Sequence, residues 1–346
     1  MIQLCRAGAL CPRRALLPTL MSTPTAAPTA ALSDALQTAR SQPEPGCYIG
    51  RFAPSPTGPL HFGSLLAALA SYLDARHANG QWLLRIEDLD PPREEPGASH
   101  HILSTLEAYG LNWDGSVRYQ SQRQAAYQHG LQQLADKGVA FPCGCSRKQL
   151  QGRLHLRHCL NPPDRSQDYA WRFRVDPNSA PLCFQDRLQG RVCLSPANDI
   201  GDFVIRRRDQ LWSYQLAVVL DDRDQGINQI VRGIDLIDST QRQLLIYQAF
   251  DWSAPQYAHI PVATEANGQK LSKQNLALPL QPDPSGQTLW LALDWLRQHP
   301  PVALQYEGNP SVLQWAIQHW QPAALNGIHG LPAPVSFQRS PAGLRS

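Results

Sequence analysis

Arg51-Phe52-Ala53-Pro54-Ser55-Pro56-Thr57-Gly58-Pro59-Leu60-His61-Phe62-Gly63-Ser64 is the stretch that decides the fold. It opens on the end of a short strand-like run, 48–52. The three prolines and Gly58 then forbid a helix and predict a rigid loop. An apolar helical pattern follows in Leu65, Leu66, Leu69, Tyr72 and Leu73, with Ser64 as the natural N-cap, and it ends near Asn79-Gly80. Trp82-Leu83-Leu84-Arg85-Ile86 then reads as a buried strand. Strand, loop, helix and strand in so short a span predict one βαβ unit, the start of a parallel nucleotide-binding sheet in an α/β protein.

Outward from this unit, helical patterns occupy 98–109 and 122–137. The segment 141–194 has a different character, with clustered cysteines, turns and short strands such as 171–175. The α/β pattern returns with a strand at 202–207, a helix at 214–220, a strand at 227–232 and a helix from Ser239 to Phe250, and 289–320 is mostly helical. These shifts predict a first catalytic half over 47–140, an insertion over 141–195 and a second half over 196–275. A helical region follows over 276–330, then a flexible tail over 331–346. Residues 1–46 are rich in Ala, Pro, Thr and Ser. They read as a disordered extension or a misassigned start, with Met21 as an alternative.

Composition narrows the class. Of 346 residues, 42% are apolar, enough to bury a core, and the net charge of +3 permits RNA binding without predicting it. No apolar run reaches membrane-spanning length, and Arg13 and Arg14 spoil the one candidate secretory segment. Eight cysteines could be a disulfide set, but Cys143, Cys145 and Cys159 crowd together, and the other five, Cys183 and Cys193 among them, are scattered. That clustering points to a metal site and a reducing, cytoplasmic setting.

Five groups of residues can carry chemistry. At His61-Phe62-Gly63-Ser64, unpaired N–H groups at a helix start suit phosphate, Gly63 admits close approach to the backbone, and His61 can donate to a phosphate oxygen. Alone this is weak, since such a His is more often a surface residue. Lys270-Leu271-Ser272-Lys273-Gln274 sets two ammonium groups three apart, able to hold a triphosphate and favour charge on leaving pyrophosphate. Alone it is usually a solvated loop. Arg85-Ile86-Glu87-Asp88-Leu89-Asp90 puts carboxylates at a strand's carboxyl end, where α/β sheets bind ligands. A capped, solvated turn is equally open there. In the segments 212–222 and 231–236, Tyr214 and Arg232 stand out. Arg51 and Arg232 could face a ligand with two carboxylates, although a buried Tyr is more often core. Cys143-Gly144-Cys145 with Cys159 and either His155 or His158 suits tetrahedral zinc, in a structural role because no water-activating glutamate stands beside it.

Together these phrases resemble the class I glutamyl-tRNA synthetases from about residue 48 to the lysine loop. The first stretch resembles that family's first signature, with Ser64 where the class usually has a second His. Residues 85–90 resemble its RxEDxD phrase, 214–222 its YxxAVVxDD and 232–236 its RGxDL. Lys270 to Lys273 resemble the lysine loop, with Gln274 departing from the usual Ser. The resemblance implies a Rossmann-like class I catalytic core. It implies ATP at His61, Gly63, Ser64, Lys270, Leu271, Ser272 and Lys273, with magnesium, and catalytic roles for His61, Lys270 and Lys273. It implies L-glutamate at Arg51, Phe52, Ala53, Pro54, Ser55, Glu87, Tyr214 and Arg232, with Glu87 on the α-amino group. The cysteine cluster resembles a zinc insertion of this group in which the residue four before the last cysteine completes the site. That selects Cys143, Cys145, His155 and Cys159.

Roughly seventy residues follow Gln274, room for a small helical stem-contact unit but not for an anticodon-reading region. A catalytic core, a zinc insertion and this short end resemble the glutamyl-Q tRNA(Asp) synthetase family. The resemblance implies glutamate activation without tRNA and transfer to queuosine at the wobble base of tRNA(Asp), by a cytoplasmic monomer. The competing expectations are a truncated glutamyl-tRNA synthetase charging a 3′ end and a non-catalytic RNA-binding paralogue.

Overall fold

We describe the protein from a computed structural model that defines residues 47–150, 152–156, 168–265, 268–271 and 278–338. The chain divides into two units, Met1–Gln42 and Pro43–Ser346, and every described residue falls in the second.

The predicted unit forms. Strand β1 (Ile49–Phe52) leads through the proline loop to helix α1 (Phe62–His77), and β2 (Gln81–Ile86) returns parallel to β1. Helix α2 (Ala98–Ala108) precedes β3 (Arg118–Tyr119), which extends the sheet parallel to β2. Helix α1 is buried almost all round, with Phe62, Leu65, Leu66, Leu69 and Leu73 at 0–1% exposure. Its second cover is α7 (Gln287–Trp295) and α8 (Gly308–His319), whose Leu289, Leu293, Val312 and Ala316 share its core cluster. At about 1.5–3 kcal/mol for each fully buried large apolar side chain, this layer is a major source of stability.

The cap of α1 differs from the sequence expectation. Ser64 lies inside the helix, and His61 is the N-cap, its Nδ1 accepting from the Ser64 N–H at 3.3 Å. A ring nitrogen three residues back reaches the same orphan donor that a hydroxyl would. A Cβ on Gly63 would stand 3.0 Å from the His61 ring, so this glycine makes room for the cap.

After α3 (Gln124–Asp136), β4 (Ala140–Cys143) and the one-turn α4 (Arg147–Leu150) enter the segment expected as an insertion. Strand pairing cuts across the expected boundaries. β5 (Ala170–Phe173) pairs antiparallel with both β4 and β8 (Phe203–Arg206), so the small sheet takes a strand expected in the second catalytic half. The hairpin β6 (Leu182–Asp186) and β7 (Gly190–Leu194) leaves the insertion and joins the main sheet's far edge. Cys183 and Cys193 face each other across this hairpin and form a disulfide, which departs from the reducing setting expected from the cysteine cluster.

The second half brings α5 (Tyr214–Asp224), capped by Ser213, then β9 (Gln229–Gly233), α6 (Ile237–Ala249) and β10 (Gln256–Ile260). β10 lies parallel between β9 and β6. Helix α6 starts two residues before Ser239, without a side-chain cap. Asn228 joins the halves: its N–H donates to Ile49 O (3.1 Å), its Oδ1 accepts from Ile49 N (2.9 Å), and its Nδ2 donates to Cys47 O (2.7 Å). Finally β11 (Val262–Thr264) pairs with β12 (Gly330–Pro332). Residues 331–338, expected as a loose tail, are therefore tied down. Phe337 stacks on Phe62 at 4.3 Å, and the Trp295 indole donates to Pro332 O.

Candidate active site

Two hydrogen-bonded groups of strands, β3-β2-β1 and β9-β10-β6-β7, meet with β1 beside β9 at the Asn228 junction. Strand order reverses between β1 and β9, and ligands of open α/β sheets bind at the carboxyl ends of strands at such a point. Arg51 and Phe52 end β1, Glu87 follows β2, and Arg232 stands at the end of β9. These residues, with Ala53, Pro54, Ser55 and Tyr214, line one cavity of about 470 Å³. All eight residues expected to hold glutamate therefore meet in one place.

Behind the cavity wall lies a network of buried charge. Arg85, completely buried, donates to Asp222 Oδ1 (2.7 Å), to Gln225 (2.8 Å) and to Glu87 Oε1 (3.3 Å). Arg51 Nε donates to the same Asp222 oxygen at 3.3 Å. Burial opposes the Asp222 charge, but Arg51 and Arg85 outweigh it and hold the carboxyl below its usual range. Burial lifts Glu87 above its usual value, and Arg85 and Arg51 only partly offset it. An incoming ammonium group would supply the missing compensation. Burial likewise raises the Tyr214 phenol, so it remains a donor.

The same cavity extends past His61, Gly63 and Ser64 to Lys270 and Leu271. Because Nδ1 of His61 accepts from the helix, a neutral ring carries its proton on Nε2 and is a donor there. Lys270 Nζ is held by Asp235 at 2.6 Å. Leu271 N donates to Ala263 O, fixing this end of the lysine loop against β11. Ser272 and Lys273 lie outside the described residues.

A second cavity, about 680 Å³, shares Ser55, Thr57, Glu87, Arg93 and Tyr214 with the first. Its far wall carries Arg207, Arg208 and Trp212, and also Arg172 of β5 and Cys145, two residues past the end of β4. Cys143, Cys145 and His155 are buried there with their ligand atoms within 4.8 Å of one another. His155 Nδ1 meets Asp202 Oδ2 at 2.8 Å, while Nε2 is 3.4 Å from Cys143 Sγ. A carboxylate on one ring nitrogen and soft ligands beside the other is how a protein presents histidine to zinc, so the donor set fits that ion. Arg172 Nε donates to Cys143 Sγ at 3.3 Å. Cys159 and the alternative His158 lie outside the described residues.

Reasoning from sequence left several of these groups unassigned. Asp222 stood inside a quoted phrase, and two adjacent carboxylates in an apolar helix were a signal that cations had to meet them. His259, Thr240 and Gln243, which bond Arg232, and Asp186 behind His259 carried no local signal.

Comparison with known proteins agrees with this architecture. Residues 49–283 match the family of class I tRNA synthetases (E and Q), catalytic domain. Two solved glutamate-tRNA synthetases from Elizabethkingia share the fold. That of E. anophelis has a TM-score of 0.68 at 23% identity, over 84% of this chain and 68% of its own. That of E. meningosepticum, solved with its amino acid, has a TM-score of 0.68 at 22% identity, over 84% and 67%. A glutamyl-Q tRNA(Asp) synthetase of Xanthomonas campestris pv. campestris is 50% identical over 83% of this chain and 96% of its own length. One from Pseudomonas paraeruginosa is 49% identical over 79% and 93%, and one from Vibrio cholerae 48% identical over 80% and 92%. With identity of this order across nearly the whole of those relatives, the chain belongs to the glutamyl-Q tRNA(Asp) synthetase family of class I synthetases.

Proposed function

We propose that this enzyme activates L-glutamate with ATP and transfers it to queuosine at the wobble position of tRNA(Asp). The observation that carries this reading is the meeting, at the sheet's switch point, of Arg51, Arg232, Glu87 and Tyr214 in a cavity that continues to His61 and Lys270. Two guanidinium groups suit the two carboxylates of glutamate, and the Glu87 carboxylate suits its ammonium. Phe52, Ala53, Pro54 and Ser55 complete the wall of that pocket.

In the first step a glutamate carboxylate oxygen attacks the α-phosphorus of ATP. The bond to the bridging oxygen breaks and pyrophosphate leaves; magnesium brought with ATP would help neutralise its charge. His61, the helix start at Gly63 and Ser64, and the loop Lys270, Leu271, Ser272 and Lys273 hold the phosphates and stabilise the departing charge. In the second step a hydroxyl of the queuosine cyclopentene ring attacks the adenylate carbonyl carbon. The bond to the phosphate oxygen breaks, AMP leaves, and the hydroxyl proton passes to solvent. No covalent enzyme nucleophile is assigned. The cavity bearing the exposed Arg207 and Arg208 offers cations for a single-stranded loop, the form in which RNA is usually read. Zinc on Cys143, Cys145, His155 and Cys159 would brace that wall as a structural ion. The setting is the cytoplasm, where tRNA is modified.

ATP–pyrophosphate exchange without tRNA tests the first step. Exchange with glutamate, but not with glutamine or aspartate, is expected. Labelled glutamate offered with queuosine-containing tRNA(Asp) tests the second. Label on the anticodon fragment is expected, and label on the 3′-terminal adenosine would overturn the assignment.

A further inference from the structure

Behind Arg232 the structure holds a buried chain of polar groups that the chemistry above does not use. Asp186, 1% exposed at the end of β6, accepts on Oδ1 from the backbone N–H groups of Leu188 (2.9 Å), Gln189 (2.9 Å) and His259 (3.2 Å). Its Oδ2 is 2.6 Å from Nδ1 of His259, which is completely buried on β10. On the ring's other side, Nε2 is 3.1 Å from both Arg232 Nε and Thr240 Oγ1. A guanidinium Nε only donates, so Nε2 must accept and the ring proton must sit on Nδ1, shared with Asp186. Burial and Arg232 together hold His259 below its ordinary value, although Asp186 opposes them, so the ring stays neutral.

The rest of Arg232 is fixed in the same manner. Nη2 donates to Thr240 Oγ1 (2.7 Å) and Gln243 Oε1 (2.9 Å), and Nη1 donates to the Tyr214 hydroxyl (3.2 Å). Of five guanidinium protons, these bonds and the one to His259 engage four, leaving one on Nη1 for a ligand. The ring at Nε therefore decides how the guanidinium fork is turned. Resting on the reading that Arg232 holds a carboxylate of glutamate, we propose that Asp186 and His259 are positioning residues: they fix the imidazole tautomer that aims Arg232 at the substrate.

The isosteric variant Asp186→Asn tests this. The three backbone N–H groups keep the amide oxygen at the Oδ1 position, so the amide NH2 must face Nδ1 of His259. That moves the ring proton to Nε2, where it points at the Nε–H of Arg232. In tRNA-independent exchange, the glutamate KM is expected to rise about tenfold or more, with kcat and the ATP KM little changed. Imidazole ¹⁵N signals should move from the Nδ1–H to the Nε2–H pattern, which a general loosening of the fold would not produce. If Asp186→Asn does not fold, His259→Gln and His259→Asn replace it. The Gln carboxamide oxygen can reach the Nε2 position and should restore much of the glutamate affinity, whereas Asn should not. A tautomer change with an unchanged glutamate KM, while Arg232→Lys raises it, overturns the positioning role. An unchanged KM in Arg232→Lys itself overturns the placement of glutamate on that arginine, and the proposal with it.

Discussion

His61 has two tasks in one ring, and they can be separated. As N-cap it accepts from the Ser64 N–H on Nδ1, and the same ring lines the cavity that we assign to ATP. His61→Ala should lose about 0.5–2 kcal/mol of stability with the cap and most exchange activity. His61→Asn, a competent cap, should keep the thermal midpoint of the wild type yet lose the activity. Glu87→Gln keeps the shape of the pocket and removes the charge meant for the ammonium. Its glutamate KM in exchange should rise about tenfold or more, as expected for a lost charge-assisted hydrogen bond, with the ATP KM unchanged. At this scale the motif residues were legible because their chemistry stands side by side in the chain. Their supports were not. Arg51 and Asp222 are 171 positions apart, and Asp186 and His259 are 73 apart, distances that no local pattern spans.

Helices α1, α2, α3 and α5 were legible as elements because a stripe repeating every 3.6 residues is a local property. Strand partners are a global property, and there the sequence-based boundaries moved: β8 went to the small sheet, and the β6–β7 hairpin went to the main one. The cysteine and histidine spacing foretold a cluster, but not that it would share a wall with a cavity. Arg172 makes the connection, since it lines that cavity while donating to Cys143 Sγ and to the Asp202 carbonyl. Chelation, or His155→Ala, should therefore lower metal content by atomic absorption and slow transfer to tRNA more than exchange. Equal loss of both activities would show that the small sheet also supports the first site. In the separate network behind the first cavity, Asp222→Ala removes the carboxylate shared by the buried Arg51 and Arg85 and should cost about 3–5 kcal/mol in urea denaturation.

Across the whole molecule, buried charge sets an acid limit. Asp186 and Asp222 both ionise below their ordinary value. Their contribution is complete above the unfolded carboxyl pKa, about 4, and is lost as pH falls through the lower folded values. His259 adds to this earlier, because burial depresses its folded value too: the unfolded chain gains a proton below about pH 6.5, while the native ring, beside Asp186 and Arg232 with Asp235 farther off, does so only at lower pH. Glu87 has the opposite sign, its raised value costing stability where it is ionised. The urea midpoint should thus fall between about pH 7 and pH 5, and His259→Gln should make that fall shallower.

The border between the two cavities has a further consequence for traffic. Ser55, Thr57, Glu87, Arg93 and Tyr214 line both spaces, so the two cavities adjoin without being one site. On the proposed assignment, a nucleotide in one need not leave before an RNA stands at the other. Pyrophosphate should then compete with ATP but not with tRNA in steady-state inhibition, and a trapped glutamyl-adenylate should pass to tRNA added later without first escaping into solution.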